Sequence, residues 1–356
     1  MNKIVLTGGG TAGHVMPNLA LIPELKKHFQ QIYYISSETG MENQILEKQT
    51  DIKQYKIPTV KFIRKLTFKN LTIPFKLFKS IQEAKKILKT IKPDVVFTKG
   101  GYVSVPVAIA AKKLKIPVIS HESDLSMGLS NRIIYKYCKV MCVTFKETAQ
   151  KKDKCVVTGS PIRPTIFNAN KKNIYSLCKF KNSNKEILLF FGGSLGAQAL
   201  NKFVWENLND LTEKYNILHI VGKNNKNNQI KNFSYYQTEF ADNIQDYFDY
   251  ANYVVCRGGS NSIHELLSLK KLMLIIPLPK AESRGDQIEN AKSFKKHGYA
   301  DYLLQENLSL NKFLEKINSL KINKYYYINN ILKSNKQNAN KQIVKVILSA
   351  CEKLKN

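Results

Sequence analysis

Lys3-Ile4-Val5-Leu6-Thr7-Gly8-Gly9-Gly10-Thr11-Ala12-Gly13-His14 is a short apolar run that breaks into glycines. Ile187-Leu188-Leu189-Phe190-Phe191-Gly192-Gly193-Ser194-Leu195-Gly196-Ala197 repeats the arrangement in the second half of the chain. A continuous apolar run closed by glycine reads as a parallel strand buried on both faces, and a helix-like stretch follows each turn. Glycine permits positive φ and close backbone approach, while the helix that follows offers a positive dipole end to an anion. The repetition predicts two phosphate-handling α/β domains serving one substrate.

Outward from those turns, strand-like runs alternate with amphipathic stretches: Ile4 to Leu6, Ile32 to Ser36, Val95 to Thr98, Val118 to Ser120 and Val140 to Val143. This is the pattern of a parallel sheet wound with helices. Around Val156-Val157-Thr158-Gly159-Ser160-Pro161-Ile162-Arg163-Pro164, prolines and a glycine interrupt helix and strand alike, which puts the interdomain connection there. The alternation restarts with Ile187 to Phe191, Ile217 to Val221, Tyr253 to Cys256 and Met273 to Ile276. The last helical stretch, Asn338 to Lys355, has no strand after it and is expected to cross back. The expected domains are therefore 1–160 with 338–356, and 161–337. Ligands of open parallel sheets sit beyond the carboxyl ends of the strands, so the post-strand loops of two facing sheets should line a cleft.

At 356 residues the chain fits two domains of about 150 to 180 residues. The six cysteines are scattered with no C-x-x-C pair, and no histidine cluster stands at zinc spacing, so neither a disulfide framework nor a structural metal is expected. A reducing cytoplasm is the natural compartment. The longest apolar stretch, Tyr102 to Ala111, is half of what a membrane span requires. The formal charge of +29 invites a nucleic-acid reading, but only five of the 56 basic residues are arginine, and Lys, Asn and Ile are abundant throughout. With no helix-turn-helix, zinc finger or aromatic platform beside the charge, no nucleic-acid partner is expected. An anionic membrane surface suits it better. In Phe62 to Lys92, aromatic and aliphatic residues (Phe62, Phe68, Phe75, Phe78) are interleaved with Arg64, Lys65, Lys69, Lys76 and Lys79. The segment reads either as an apolar patch ringed by lysines for anionic lipid, or as domain core with a solvated edge.

The loops carry the chemistry. G-G-G-T-A-G-H is neither the dinucleotide fingerprint nor a P-loop. His14 sits at a loop-to-helix junction, where the helix N-terminus favours the neutral, proton-accepting ring, and is the first candidate for a general base. Lys99-Gly100-Gly101-Tyr102-Val103-Ser104 and His121-Glu122-Ser123-Asp124 follow later strands of the same half. Glu122 and Asp124 read as contacts to sugar hydroxyls, as groups that orient a base, or as a polar turn capping the helix near Asn131. In the second half, Gly192-Gly193-Ser194 and Arg163 suit a diphosphate. Cys256-Arg257-Gly258-Gly259-Ser260-Asn261-Ser262-Ile263-His264-Glu265 is again strand, glycine turn and helix. Glu265 is placed either to accept ribose hydroxyls or to cap its helix. Arg132, Arg163 and Arg257 fall in or beside these loops, which suggests planar multidentate donors for a nucleotide diphosphate. Further on, Gln287 and Asn290 share a helix face and suit sugar hydroxyls.

Taken in order, these motifs resemble the MurG glycosyltransferases, which add N-acetylglucosamine to lipid I to make lipid II in peptidoglycan synthesis. The match runs over nearly the whole chain through G-G-T-x-G-H, G-G-Y-V-S, H-E, T-G-x-P-I-R, G-G-S-x-G-A, C-R-G-G…E and D-Q-x-x-N-A. The resemblance implies a GT-B fold of two Rossmann-like domains, UDP-GlcNAc on the second and the lipid acceptor on the first. It assigns Thr11, Ala12 and Gly13 to a donor-contacting loop and His14 to the base. Arg163 and Ser194 fall to the diphosphate, and Ala241 beside the uracil. Ser260, Asn261, Ser262, Ile263, His264 and Glu265 form the ribose and phosphate helix, and Gln287 contacts a GlcNAc hydroxyl. The family usually has H-E-Q-N where this chain has His121-Glu122-Ser123-Asp124, and S-G-A where it has Gly258-Gly259-Ser260. Glu122 is retained as a catalytic candidate and Asp124 as a donor contact. The implied reaction is inverting attack of the MurNAc C4 hydroxyl on the anomeric carbon, with no cofactor, and with no D-x-D motif to hold a metal. The implied location is peripheral, on the cytoplasmic face of the inner membrane. A related enzyme that glycosylates diacylglycerol is the alternative.

Overall fold

The computed structural model describes residues 1–40, 42–47, 49–59, 72–150, 152–181, 184–193, 196–334 and 338–352. The chain divides into two compact units, Met1–Arg163 with Gln337–Asn356, and Pro164–Lys336.

Unit 1 runs β1 (Lys3–Thr7), α1 (Ala12–Leu25), β2 (Gln31–Ser37), α2 (Glu42–Leu46), β3 (Lys53–Ile57), α3 (Ile73–Ile91) and β4 (Val95–Thr98). It continues through α4 (Ser104–Lys113), β5 (Val118–Glu122), α5 (Leu129–Tyr135), β6 (Val140–Val143), α6 (Lys146–Ala149) and β7 (Cys155–Val157). Its seven strands are all parallel, in the order β3-β2-β1-β4-β5-β6-β7. Alternation along β1 divides the core between the two faces. Ile4 and Leu6 pack with Val15, Leu21 and Leu25 of α1, whereas Val5 packs with Ala84 and Leu88 of α3 and Val107, Ala108 and Ala111 of α4.

Unit 2 runs α7 (Lys171–Cys178), β8 (Glu186–Phe191), α8 (Gln198–Glu206), α9 (Leu208–Lys214), β9 (Tyr215–Ile220), β10 (Tyr235–Thr238) and α10 (Ile244–Tyr250). After these come β11 (Tyr253–Cys256), α11 (Ser260–Ser268), β12 (Leu272–Ile275), α12 (Asp286–Lys296), β13 (Asp301–Tyr302), α13 (Leu310–Ile322) and α14 (Lys324–Ser334). The order is β10-β9-β8-β11-β12-β13, again all parallel. Leu188, Phe190 and Val255 pack with Leu200, Phe203 and Val204 of α8 and with Phe313 and Ile317 of α13; Phe190 stacks on Phe313 at 5.6 Å.

The chain then returns to unit 1 as α15 (Ala339–Glu352). Its Ile343, Val344 and Ile347 join the Ile4 and Leu6 face of the core. Asn340 fixes the return: its Nδ2 donates to the carbonyls of Ala20 (3.1 Å) and Ile162 (2.8 Å), and its Oδ1 accepts from Ile162 N–H (3.0 Å).

In both sheets the strand order reverses beside the first strand. β1 lies between β2 and β4, and β8 between β9 and β11. Crossovers leave such a switch point in opposite directions and open a crevice at the carboxyl ends of the two central strands. The two glycine turns therefore stand at the two positions where an open parallel sheet can receive a ligand.

Candidate functional site

In unit 1 the turn after β1 is built around a buried carboxylate. Gly10 has φ +88°, and its N–H donates to Oε2 of Glu42 at 3.0 Å, while Oε1 accepts the Ser37 N–H (3.1 Å) and the Ser37 hydroxyl. Glu42 is fully buried. A Cβ on Gly9 would stand 2.5 Å from Glu42 Oε1, so glycine there makes room for the acid. Burial pushes the Glu42 carboxyl up, but the bonds from Ser37 and the Gly10 amide outweigh it and hold the group below its ordinary value of 4.5. A carboxylate whose folded pKa lies below its unfolded one adds stability above the unfolded value, and this is lost as the pH falls through the folded value. Glu42→Gln should therefore flatten the acid limb of a plot of melting temperature against pH, measured by calorimetry.

Thr11 occupies the N-cap position of α1, and its Oγ1 lies 3.0 Å from Nδ1 of His14, which is half-buried in the first turn of the helix. If Nδ1–H donates to Thr11, Nε2 is the basic nitrogen. The β4 exit loop closes on this pair. Gly101 has φ +82°, and a Cβ there would lie 2.3 Å from the Gly9 carbonyl and 3.3 Å from His14 Nδ1. The Tyr102 ring covers Gly10 in the same way, at 2.6 Å from a Cβ built there. The β4 exit loop is thus in contact with the turn that carries His14.

The β5 exit loop is tied to α5 by Glu122, whose Oε1 accepts from Asp124 N–H (3.0 Å) and whose Oε2 accepts from Gly128 N–H (3.0 Å) and Asn131 Nδ2 (2.9 Å). Glu122 is 5% exposed, so its carboxylate shapes the loop from inside, in line with the capping reading. Asp124, two residues beyond the end of β5, is half-buried. Lys99 is buried under it and donates to Ser123 Oγ at 2.6 Å.

In unit 2, the Cys256-Arg257-Gly258-Gly259 turn leads into α11. A Cβ on Gly258 would meet the Gln287 carbonyl at 2.6 Å, so the turn packs against the start of α12. Gln287 Oε1 accepts two backbone N–H groups, from Gly258 and Leu278, each at 3.1 Å. Two donors converging on one atom identify it as oxygen and leave Nε2 as the end that can donate to a ligand. Asn290 is fully buried and donates to the Gly258 carbonyl (3.0 Å), bracing the turn.

Of the Ser260 to Glu265 run, Ile263 is fully buried in the core. The His264 ring lies against Phe294 at 4.9 Å, and burial depresses its pKa to about 4, so it is a neutral packing group at physiological pH. Their side chains face the protein. Ser260 is buried, whereas Asn261, Ser262 and Glu265 are half-buried. The helix places its positive end at the turn. Ala241 is buried, Arg163 is half-buried and Ser194 lies outside the described residues. Arg132 Nε donates to the Met127 carbonyl (3.0 Å), and Arg257, 7% exposed, donates to the Ile276 carbonyl (3.1 Å). Both brace the loops in which they lie.

Sequence reasoning passed over Glu42, whose one local signal is Gly40 two positions before it, and assigned Lys99 no role.

A model of the glycosyltransferase family 28 N-terminal domain matches residues 4–143, and one of the family 28 C-terminal domain matches 187–347. Over 351 residues the chain is 48% identical to the UDP-N-acetylglucosamine–N-acetylmuramyl-(pentapeptide) pyrophosphoryl-undecaprenol N-acetylglucosamine transferase of Clostridium botulinum (strain Langeland), covering 98% of this chain and 99% of the relative. The chain belongs to the MurG family. The transferase of the same name from Clostridium tetani is 47% identical over 97% of both chains. The crystal structure of MurG from Acinetobacter baumannii superposes with a TM-score of 0.75 at 27% identity, covering 98% of this chain and 100% of that one. UDP-GlcNAc 2-epimerase from Neisseria meningitidis, solved bound to UDP-GlcNAc, shares the fold at a TM-score of 0.68 and 17% identity over the full length of both chains. Membership of the MurG family makes this chain a glycosyltransferase built from two Rossmann-like parallel-sheet units.

Proposed function

We propose that this MurG-family enzyme transfers GlcNAc from UDP-GlcNAc to the C4 hydroxyl of MurNAc in undecaprenyl-pyrophosphoryl-MurNAc-pentapeptide, with inversion at the anomeric carbon. The observation that carries the reading is the 48% identity, over 98% of the chain, to a transferase named for that donor and acceptor.

In the proposed mechanism His14 Nε2 takes the proton of the acceptor hydroxyl as its oxygen bonds to C1 of GlcNAc. The bond from C1 to the β-phosphate oxygen breaks, and its electron pair leaves with UDP. The Thr11 hydroxyl, accepting from Nδ1–H, fixes the tautomer that makes Nε2 the base. Arg163, Ser194 and the α11 N-terminus meet the charge of the diphosphate. Glu265 accepts from the ribose, Ala241 lies by the uracil and Gln287 Nε2 donates to a sugar hydroxyl. Thr11, Ala12, Gly13 and Asp124 complete the donor set from unit 1. Glu122 acts by holding Asp124 in place. The test is UDP release from UDP-GlcNAc with a soluble lipid I analogue, with diacylglycerol and with neither. The reading expects release with the first, and release with diacylglycerol alone would refute it.

The acceptor is lipid-linked, and no helix among the described residues is long and apolar enough to cross a membrane. The proposed attachment is peripheral, on the cytoplasmic face of the inner membrane, through the segment Phe62 to Lys92, of which 62–71 lies outside the described residues. In the described part the two sequence readings divide along α3. Ser80, Ile81, Ala84, Leu88 and Ile91 are buried, whereas Phe75 (80% exposed) and Phe78 (60%) stand out among exposed Lys76 and Lys79. Burying a phenylalanine in an apolar phase is worth about 1.5–3 kcal/mol. Phe75→Ser with Phe78→Ser should therefore weaken sedimentation with vesicles containing anionic lipid by about 100-fold or more, and leave turnover of a soluble acceptor intact.

A further inference from the structure

The β5 exit loop of this chain opens with an acid, Asp124, where a sugar nucleotide carrying a diphosphate is proposed to bind. An isolated carboxylate there would repel that ligand. Directly beneath the loop lies a buried ammonium. Lys99, at the end of β4, is 2% exposed, and its Nζ donates to Ser123 Oγ at 2.6 Å. Burial holds the Lys99 ammonium below the usual lysine range, and the carboxylates of Glu122 and Asp124 push back in favour of its charge. Of these, Glu122 is committed to the backbone of Asp124 and Gly128 and to Asn131. Burying a lysine costs several kcal/mol unless an opposite charge compensates it, so Lys99 and the acids beside it are a matched set rather than separate surface choices.

We propose that Lys99 is a positioning residue of the transfer reaction. Its buried ammonium, clamped to Ser123, offsets Asp124 from beneath, so that the β5 exit loop meets the sugar nucleotide as a charge-balanced acceptor instead of a lone anion. Such a pairing leaves the Asp124 carboxylate as a hydrogen-bond acceptor for a sugar hydroxyl while the ammonium buried beneath it cancels the charge. The inference rests on the reading that Asp124 faces the donor substrate.

The test uses the full chain and the variants Lys99→Met, Asp124→Asn, Asp124→Ala and the double variant Lys99→Met/Asp124→Asn. Kinetics for UDP-GlcNAc with a soluble acceptor analogue are read beside calorimetric affinities for UDP and for uridine, which has no phosphate. One uncompensated charge about 6 to 10 Å from a ligand charge, in an effective dielectric of about 20, changes the affinity by about 10- to 100-fold. Lys99→Met should raise KM for UDP-GlcNAc and Kd for UDP by about that factor and leave uridine affinity within about twofold. Asp124→Asn should tighten UDP, an arm that stands even if Lys99→Met does not fold. The double variant should return UDP affinity to that of the wild type. The proposal is overturned if Lys99→Met leaves donor binding unchanged while Asp124→Ala impairs it, if uridine weakens as much as UDP, or if the double variant is no better than Lys99→Met. If Asp124→Ala and Asp124→Asn both match the wild type, Asp124 does not face the donor, and the assignment beneath the proposal fails instead.

Discussion

His14→Ala is expected to lower kcat by about 100- to 10,000-fold, the range that a positioned general base contributes, with Kd for UDP within about twofold of the wild type. The effect should fall on kcat because the imidazole meets the acceptor proton in the transition state, and uridine recognition is assigned to unit 2. Thr11→Val tests the same point at smaller amplitude. Without the Oγ1 at 3.0 Å from Nδ1, the ring loses the partner that fixes its tautomer, and kcat should fall by about tenfold or more. Circular dichroism and melting temperature keep loss of fold apart from loss of the base. Wild-type turnover in folded His14→Ala would remove His14 from the mechanism.

Gly101→Ala should cost about 100-fold in kcat, although Gly101 carries no functional group. Its φ of +82° is strained for alanine, and the new Cβ would stand 2.3 Å from the Gly9 carbonyl. Backbone cannot yield as a side-chain tip can, so the β4 exit loop must draw back from the first glycine turn and His14 with it. Displacement of a catalytic group by about 1 Å is enough to lose about two orders of magnitude. Rates measured beside UDP affinity would show the split: kcat falls by far more than Kd for UDP rises, because His14 is displaced while the uridine contacts assigned to unit 2 are untouched. Equal losses in both would place the damage elsewhere.

The central strands were legible in the sequence for a physical reason. β1, β4, β8, β11 and β12 are covered on both faces and so read as unbroken apolar runs. The edge strands were not. β3 is Lys53-Gln54-Tyr55-Lys56-Ile57, with only Ile57 buried, and β7 falls inside the stretch read as a proline-interrupted connection, with Val156 and Val157 half exposed. A strand that buries one face at most, or pairs over two residues like β13, leaves no hydrophobic signature. Within the candidate site, the glycine turns were legible because left-handed backbone at Gly10, Gly100, Gly101 and Gly193 demands the residue type. The orientation of Gln287 was not, since it depends on amides of Gly258 and Leu278 from other segments. The burial of Glu42 and Lys99 is likewise a product of tertiary packing.

The return of α15 has a consequence for how the chain is made. Unit 2 is threaded into unit 1 between Arg163 and Gln337, so the ribosome delivers all of its strands before unit 1 is whole. Until Ile343, Val344 and Ile347 emerge, the α1 side of the first sheet has part of its apolar cover missing. Unit 2 can therefore complete its fold first, while unit 1 waits with a sticky face exposed to chaperones and to other nascent chains. Synthesis arrested just short of α15 would yield a finished second unit joined to an aggregation-prone first one.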